Sequence, residues 1–400
     1  MKILFLAPRL PLPADTGGKI RTINILKQLT KFARVHLACF SFEADDGAWS
    51  QKLTSAGIPV SLVKLKEPKF NEKLTGVLFD QIPYTMAKYL SGSMRELLQK
   101  LATAEKFDAV HVDHLHMAHY REIFSGTPCV LDEHNVEYLI TQRCAEVEKN
   151  PIKKKVYADQ ARKLKEFEAG KVQGFDRCLA VSEDDKKVLE TISGGNVRCA
   201  VVPNGVDTDF FRASVIGESG SKEDCVVFTG SMDWWPNDDA VVYFAREILP
   251  LIWKDNSGMK FFIVGKSPTA AVKELAVREN RIIVTGRVDD VRPLMDKAKV
   301  FVVPIRVGGG TRLKILEAMS MGKPVVSTTL GAEGIASTDG HDIIIADEPA
   351  GFAAAVVALF ANDERRDQIG QEARKLVCER YDWHFVGKKL ESTYRELVRA

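Results

Sequence analysis

Short apolar runs alternate with segments of helical spacing along the chain, and this alternation constrains the fold more than any other sequence feature. One helical segment carries its apolar residues at Ile20, Ile23, Leu26 and Leu29. Runs of strand length, bounded by turn residues, lie at 2–7, 34–40, 58–63, 109–112, 128–131, 178–181 and 199–202, and again at 225–230, 260–264, 282–284, 300–303, 324–326 and 343–345. Alternating strands and helices build parallel sheets covered by helices. The chain is therefore predicted to be an α/β protein that uses the same architecture twice.

The domain organisation follows from the length of the chain. A chain of 400 residues is too long for one hydrophobic core and suits two domains of about 200 residues each. We predict a first domain at 1–205 and a second at 206–380, with a polar, aperiodic linker near Ile216–Asp224. Amphipathic helices are predicted at 363–379 and 383–399, and the terminal segment 381–400 is predicted to pack back on the first domain.

Composition excludes several classes of protein. The 56 Lys and Arg against 54 Asp and Glu leave a net charge of +2, which argues against nucleic acid as a partner. The longest apolar candidate for a membrane span, Phe352–Ala361, has only ten residues and is interpreted as a core helix. Seven scattered cysteines suggest no disulfide or metal framework, so a reducing, cytoplasmic compartment is expected.

A basic stretch at Ile152–Lys165 leaves two interpretations open. It is predicted to be a helix whose cationic face is solvated. The same face could touch an anionic membrane surface, which would place the protein peripherally on the cytoplasmic face of the inner membrane and would suit a lipid-linked substrate.

The segment Arg306–Lys323 is the most informative for chemistry. Three consecutive glycines precede Thr311, which is predicted to cap a helix, and the cations Arg312 and Lys314 then fall in the first helical turn. Acidic residues are normally favoured there because the helix dipole is positive at its N-terminus. Two cations beside backbone amides and glycines make sense if an anion binds, so we predict a diphosphate site. The alternative is a tight glycine turn with two solvated cations.

Glu317 lies one turn further along the predicted helix. It is close enough to meet the hydroxyls of a ribose attached to that diphosphate. The alternative is an ordinary helix carboxylate that is solvated or paired with Lys314.

This segment resembles the signature helix of glycosyltransferase family 4, the retaining enzymes of the GT-B fold. The family pattern has two glutamates eight residues apart, of which Glu317 matches the second, while Gly309 stands at the first position. The chain therefore resembles a divergent branch of the family. The resemblance implies two Rossmann-like domains that face each other across a cleft, an acceptor-binding first domain and a nucleotide-sugar-binding second domain. It also implies a nucleotide diphosphate sugar as co-substrate, and neither a cofactor nor a metal.

The resemblance extends to other donor-binding positions. Gly17 and Gly18 follow the first strand, as in the family loop whose amides approach the donor phosphates, and Thr285–Val291 resembles the loop that contacts the nucleotide base. The donor-binding residues implied in this way are Gly17, Gly18, Gly286, Arg287, Val288, Gly309, Gly310, Thr311, Leu313 and Glu317.

The segment Phe228–Asn237 stands where many family members carry an Arg and a Lys for the diphosphate, and it has neither. Arg312 and Lys314 are therefore predicted to supply those two charges and to act in catalysis. Trp234 and Trp235 of the same segment could form a stacking surface, although core packing is the expected role.

Histidines cluster after two predicted strands, at Val110–His119 and at Glu133–Glu137. Ligands gather at the carboxyl ends of parallel strands, so these groups are predicted to line the acceptor side of the site. The catalytic candidate is His114, and the acceptor-binding candidates are His116, His134 and Asn135. The spacing H-x-x-H-x-H-x-x-H also invites a zinc interpretation, but four ligands in one short loop seldom reach tetrahedral geometry. Local capping or packing of each histidine is the other alternative.

The expected reaction is transfer of a sugar to a hydroxyl of a glycan or lipid-linked acceptor, in surface polysaccharide or glycolipid biosynthesis, with retention if the family analogy holds. Negative charge builds on the departing diphosphate, and the predicted cations would stabilise it. His114 is expected either to orient hydroxyls or to act as a base. Two further hypotheses are a nucleotide-sugar epimerase or hydrolase of the same fold, and a noncatalytic sugar-nucleotide binding protein.

Overall fold

The computed structural model describes residues 1–65, 82–212 and 223–399. The chain divides into two compact units, of which the first comprises Met1–Pro203 with Val386–Ala400 and the second comprises Asn204–Phe385. Most of the polar stretch that was predicted as a linker lies outside the described residues. Its last two residues, Glu223 and Asp224, were placed wrongly, because they belong to the first strand of the second unit.

The first unit contains a seven-stranded parallel sheet. Its strands are β1 (Lys2–Ala7), β2 (Arg34–Ser41), β3 (Val60–Lys64), β4 (Ala109–Asp113), β5 (Cys129–Asp132), β6 (Arg177–Ala180) and β7 (Cys199–Val201). They lie in the order β3-β2-β1-β4-β5-β6-β7, and every pairing is parallel. Continuous apolar runs such as Ile3 to Ala7 are fully buried, as expected for strands with both faces covered.

Helices cover this sheet, and they begin and end near turn and capping residues. They are α1 (Gly17–Leu29), α2 (Asp46–Ser55), α3 (Tyr84–Ala87), α4 (Gly92–Ala104), a 3-10 helix (Leu115–Phe124), α5 (Glu137–Val147), α6 (Pro151–Val172) and α7 (Glu183–Ile192). Asn150 caps α6 through its side chain, with Pro151 in the first helical position, and Ser182 caps α7.

The second unit repeats the architecture with six parallel strands. These are β8 (Glu223–Thr229), β9 (Lys260–Val264), β10 (Ile282–Gly286), β11 (Ala298–Val303), β12 (Val325–Ser327) and β13 (Ile344–Ile345), in the order β10-β9-β8-β11-β12-β13. The helices are α8 (Trp235–Tyr243), a π-helical turn (Phe244–Ile248), α9 (Leu249–Asp255), α10 (Ala270–Arg278), α11 (Arg292–Lys297), α12 (Leu313–Ser320), α13 (Pro349–Ala361), α14 (Asp363–Arg380) and α15 (Trp383–Arg399). The α/β fold with two Rossmann-like domains is thus confirmed, and each predicted strand is present to within two residues at either end.

The last helix, α15, joins the first unit from Val386 onward. Its Tyr394 hydroxyl lies 2.7 Å from Nδ1 of His111, in the centre of the first sheet. Gly387 lies against Gln28 of α1 so closely that a Cβ atom there would be 2.3 Å from the Gln28 side chain. Within the described ranges, no helix is both long enough and apolar enough to cross a membrane.

Because all strands of each sheet are parallel, the loops that follow them gather at one edge of that sheet. In the first unit this edge receives the loops after β1, β4 and β5. In the second unit it receives the loops after β8, β9, β10 and β11. These two edges hold the residues described next, and each is described within its own unit.

Candidate functional site

Asp113, the last residue of β4, is the centre of the polar edge of the first unit. Its buried carboxylate is 2.8 Å from Nδ1 of His114 through Oδ2 and 2.8 Å from Nε2 of His134 through Oδ1. The Thr22 hydroxyl donates to Oδ2 over 2.9 Å. Burial by itself would raise the pKa of Asp113, but the charges and hydrogen bonds of the two imidazoles hold that pKa well below its usual value. Asp113 is therefore an ionised carboxylate that binds two rings.

The two imidazoles lie against each other, with ring centroids 3.5 Å apart. Burial lowers the pKa of His114, but the charge and hydrogen bond of Asp113 outweigh it and leave that pKa raised. Burial, followed by the charge of His114, leaves the pKa of His134 lowered. A Cβ atom on Gly18 would lie 3.4 Å from His114 Nε2 and 3.9 Å from His134 Nδ1. The ring nitrogens that do not bond to Asp113, here called the outer nitrogens, therefore both face the first turn of α1.

His114 also has an unusual backbone conformation, with φ of 69° and ψ of 146°. Residues other than glycine seldom adopt positive φ, and such strained positions collect at functional sites because the surrounding structure holds them in place. The strain at His114 therefore indicates that this ring is held in one orientation by its surroundings.

A second buried layer supports this cluster from below. Arg21 of α1 pairs with Asp132 at the end of β5, with Nη2 and Oδ1 2.6 Å apart, and it donates to the carbonyl oxygens of Val202 and Pro203. Burial raises the pKa of Asp132, but the charge of Arg21 outweighs it and lowers that pKa. Sequence analysis did not identify Asp113, Asp132, Arg21 or Thr22. Two of these residues had a sequence signal, because Asp113 and Asp132 each end one of two neighbouring strands and so lie at the same sheet edge.

The other predicted acceptor residues lie beside the cluster. The ring of His116 is 5.9 Å from that of His114, and burial, then the charge of His114, holds the pKa of His116 well below its usual value. Asn135 makes a side-chain hydrogen bond to Glu137, and burial raises the pKa of that carboxyl. Glu137 is a half-buried acid next to His114 that sequence analysis did not single out.

Three of the four histidines of the H-x-x-H-x-H-x-x-H spacing have separate hydrogen-bond partners, and for His114 this partner is Asp113. His111 bonds to Tyr394, and Nε2 of His119 lies 3.1 Å from the carbonyl oxygen of Met86. Asp113, His114 and His134 do offer one polar atom each within 4.8 Å of one another. Their mutual hydrogen bonds already use the nitrogens that face the carboxylate.

In the second unit, the glycine segment forms the loop between β11 and α12. Gly308 and Gly310 have φ of 123° and 74°, so these two positions suit glycine. The prediction that Thr311 caps the helix was wrong: α12 begins at Leu313, and Arg312 is the N-cap with an extended backbone. The buried Thr311 hydroxyl has no hydrogen-bond partner among the described residues. No side chain of the described residues accepts a hydrogen bond from the first amides of α12.

The two predicted cations are held differently. The guanidinium of Arg312 folds back onto its own loop and donates to the carbonyl oxygens of Gly309 and Gly310. Lys314 instead places Nζ 2.8 Å from Oδ1 of Asn237 and 3.8 Å from the centre of the Phe228 ring. Burial, followed by the charge of Arg312, holds the pKa of Lys314 well below its usual value.

Glu317 lies one turn after Lys314 and is half-buried. Burial raises its pKa to about 7, against the attraction of Lys314. Leu313, the first residue of α12, packs against the core of the unit with its side chain.

The loop after β8 completes this edge. A Cβ atom on Gly230 would lie 2.7 Å from Lys314 Nζ and 2.8 Å from Nδ2 of Asn237, so a larger residue there would displace these two side chains. Asn237 donates to the carbonyl oxygen of Ser231 over 2.8 Å while it accepts from Lys314. Trp234 and Trp235 are 55% and 46% exposed, so the expectation that they pack in the core was wrong.

The predicted base-contacting loop follows β10, the edge strand. Gly286 has φ of 69°, and its carbonyl oxygen accepts from the amide of Gly265 over 3.1 Å. Arg287 is exposed and Val288 is half-buried against the core. The structure thus brings Gly18, His114 and His134 together in the first unit. Lys314 and the glycine loop lie at the sheet edge of the second unit, where Gly286 ends β10, which β9 and β8 separate from β11.

Comparison with known proteins gives two family matches, the first mostly in the first unit and the second within the second unit. Residues 48–210 match the model described as Glycosyltransferase Family 4, and residues 223–362 match the model described as Glycosyl transferases group 1. Together the two matches span most of the chain.

Two curated relatives match in part. An uncharacterized 44.6 kDa protein in the cps region of Klebsiella pneumoniae is 25% identical over 164 residues, which is 39% of this chain and 42% of that protein. A phosphatidyl-myo-inositol mannosyltransferase of Mycobacterium leprae is 28% identical over 207 residues, 50% of this chain and 54% of that protein. The matches thus span about half the length of these relatives.

Solved structures match over nearly the whole chain. HepE of Anabaena in complex with UDP and glucose has a TM-score of 0.70 at 16% identity, covering 99% of this chain and 100% of that one. Sucrose-phosphate synthase of Thermosynechococcus elongatus has a TM-score of 0.77 at 14% identity, covering 100% and 99%. At these identities the likeness concerns the fold.

Proposed function

We propose, from the premise that this chain belongs to the GT-B glycosyltransferases, that it transfers a sugar from a nucleotide diphosphate sugar to a hydroxyl of a glycan or lipid-linked acceptor. The observation that carries this proposal is the edge of the second unit. There Lys314 lies next to Gly230 and near the start of α12, which no side chain of the described residues caps. A half-buried ammonium group beside amides that no described side chain caps suits a diphosphate.

The donor diphosphate is proposed to bind Lys314 and the amides that open α12. Arg312 would have to leave the carbonyl oxygens of Gly309 and Gly310 to join it, so Lys314 is the better supported cation. Glu317 is proposed to hold the ribose hydroxyls. Gly286, Arg287 and Val288 are proposed to contact the base. Bound UDP in the HepE structure supports a nucleotide donor, and the base is proposed on that ground to be uracil.

The first unit is proposed to bind the acceptor through His114, His116, His134 and Asn135. As the anomeric bond breaks, negative charge develops on the diphosphate, and preorganised cations and amides would stabilise it. Transfer is proposed to retain the anomeric configuration and to need no metal, with an oxygen of the departing phosphate taking the acceptor proton. A relative from a cps region and a relative named for a lipid acceptor support a role in surface polysaccharide or glycolipid synthesis.

A donor panel tests this function. Binding of UDP-glucose, UDP-galactose and GDP-mannose is measured by nuclear magnetic resonance with the wild type, Lys314→Met and Arg312→Ala. We expect one donor to bind, and Lys314→Met to weaken its binding about a hundredfold. Lys273→Met on the exposed face of α10 is the matched control and should bind normally. Unchanged donor binding in Lys314→Met would refute the assignment of the diphosphate site.

A peripheral contact with the cytoplasmic membrane surface is proposed for the start of α6. Ile152 is 76% exposed there, next to the exposed cations Lys153, Lys154 and Lys155. Vesicles of phosphatidylglycerol and phosphatidylcholine should bind the protein, and vesicles of phosphatidylcholine alone should not. The triple change of these lysines to Glu should abolish sedimentation with the anionic vesicles, while Lys187→Glu on α7 should leave it intact. Equal sedimentation of the triple variant would exclude this surface.

A further inference from the structure

We propose that Asp113 fixes His114 and His134 in a single tautomeric arrangement, in which Nε2 of His114 accepts a hydrogen bond from a hydroxyl group of the acceptor substrate other than the attacking one. This inference rests on the proposed function and assigns two positioning residues to it. Asp113 and His134 act through His114.

The tautomers follow from the chemistry of the carboxylate. An ionised carboxylate can only accept hydrogen bonds, and both of its oxygens are 2.8 Å from a ring nitrogen. His114 Nδ1 and His134 Nε2 must therefore both carry a proton. In a neutral imidazole the other nitrogen then carries a lone pair. His114 Nε2 and His134 Nδ1 are thereby both hydrogen-bond acceptors.

The stacking of the rings limits the charge that the pair can hold. With centroids 3.5 Å apart, two imidazolium ions would repel each other strongly in this buried place. The pair thus holds at most one additional proton. The charged and titratable groups that act on His114 and His134 from the packed elements are Asp113, Asp132, His111, His116, Glu137 and Arg21.

Access distinguishes the two outer nitrogens. The side chain of His114 is 17% exposed, whereas that of His134 is 5% exposed and its Nδ1 has no hydrogen-bond partner in the described part of the chain. Gly18 leaves open the space in front of His114 Nε2. The strained backbone of His114 and the Thr22 hydrogen bond to Asp113 hold the geometry fixed. His114 is the member of the pair that a substrate hydroxyl can reach.

Nitrogen-15 spectra of the full chain with labelled histidines test the tautomers directly. In the wild type at pH 8 we expect His114 protonated at Nδ1 and His134 protonated at Nε2. In Asp113→Asn the side-chain amide can accept from one ring but must donate to the other, so one of the two histidines should switch tautomer. His341→Gln, an exposed histidine of the second unit, serves as the assignment control. A wild-type His114 protonated at Nε2 alone would overturn the inference, whether or not Asp113→Asn folds.

Kinetics separate this role from a structural one. With UDP-glucose as donor and p-nitrophenyl glycosides as acceptor probes, Asp113→Asn and His134→Asn should raise the acceptor KM at least tenfold and leave donor affinity unchanged. Protonation of His114 converts Nε2 into a donor, so activity should fall as pH decreases. Loss of the Asp113 charge should move that fall to lower pH. An unshifted pH profile with an unchanged acceptor KM would refute the positioning role, whereas absence of transfer by the wild type with every donor and acceptor would refute the proposed function instead.

Discussion

The polar edges of the two sheets hold their charged groups in opposite ways. In the first unit, the buried carboxylate of Asp113 is surrounded by hydrogen-bond donors, and its pKa is held well below the usual value. In the second unit, burial lowers the pKa of Lys314 and raises that of Glu317, so both charged forms are disfavoured. The first edge is organised by partners from its own chain. The second holds a cation whose charged form is disfavoured, as expected of a site that receives its counter-charge from a ligand.

Neutralising the central charge should therefore have opposite effects on stability in the two units. Lys314→Met is expected to lower turnover about a hundredfold, because a charge that is proposed to stabilise the departing diphosphate is lost. The same change should leave the donor-free protein as stable as before or more stable, since it removes a half-buried ammonium group whose charged form is disfavoured. Asp113→Asn should instead lower stability by about 2 kcal/mol, because two imidazoles lose a charged partner. Chemical denaturation measures the stability of both variants, and initial rates measure turnover. A lower stability of Lys314→Met would contradict the difference proposed between the two edges.

Gly18→Ala tests whether the space in front of His114 is used. The added Cβ would lie 3.4 Å from His114 Nε2, an ordinary contact, so the fold should be retained. Because the methyl group occupies the approach to that nitrogen, we expect turnover with acceptor to fall about tenfold or more while donor binding changes little. Gly92→Ala at the start of α4, where a Cβ would meet nothing within 4 Å, is the matched control. Full activity of Gly18→Ala would show that the acceptor does not approach from this side.

The pH dependence of stability should expose the raised pKa of Glu317. Its folded pKa is about 7 against an ordinary value of 4.5, so between these values the native state binds the proton more tightly than the unfolded state. The contribution of Glu317 to stability is therefore present below about pH 4.5 and is lost as pH rises through 7. The partial exposure of Glu317 reduces this effect. Between pH 5 and pH 8 we therefore expect the free energy of unfolding of Glu317→Gln to rise by about 1 kcal/mol relative to that of the wild type. Parallel stability curves for the two proteins would exclude this burial effect.

Sequence reasoning succeeded where local pattern decides structure. Continuous apolar runs such as that of β1 predict strands buried on both faces, and their alternation with helices predicts parallel sheets. The same rule placed His114 and His134 at the carboxyl edge of the first sheet, where the structure has them. The roles assigned to these residues stay predictions.

Predictions from sequence failed where contacts between residues distant in sequence determine the geometry of the site. Asp113 and Thr22 are far apart in sequence, and although Asp113 ends a strand, no local signal says that it will meet Thr22 and two histidines. Lys314 meets Asn237 across a separation of 77 residues, and Gly230 matters only because the ammonium group lies against it. The start of α12 was missed by one residue, since the turns at Gly308 and Gly310 bury Thr311 instead of leaving it to cap the helix.

The smallest expected effect concerns the strained backbone of His114. Glycine adopts positive φ without steric cost, whereas a residue with a Cβ atom pays about 1 kcal/mol or more. His114→Gly and His114→Ala both remove the imidazole and its hydrogen bond to Asp113, so their difference isolates the backbone conformation. We expect His114→Gly to be more stable than His114→Ala by about 1 kcal/mol in urea denaturation. The reverse order would mean that the backbone of His114 relaxes without its ring and that Asp113 holds the strain through that ring.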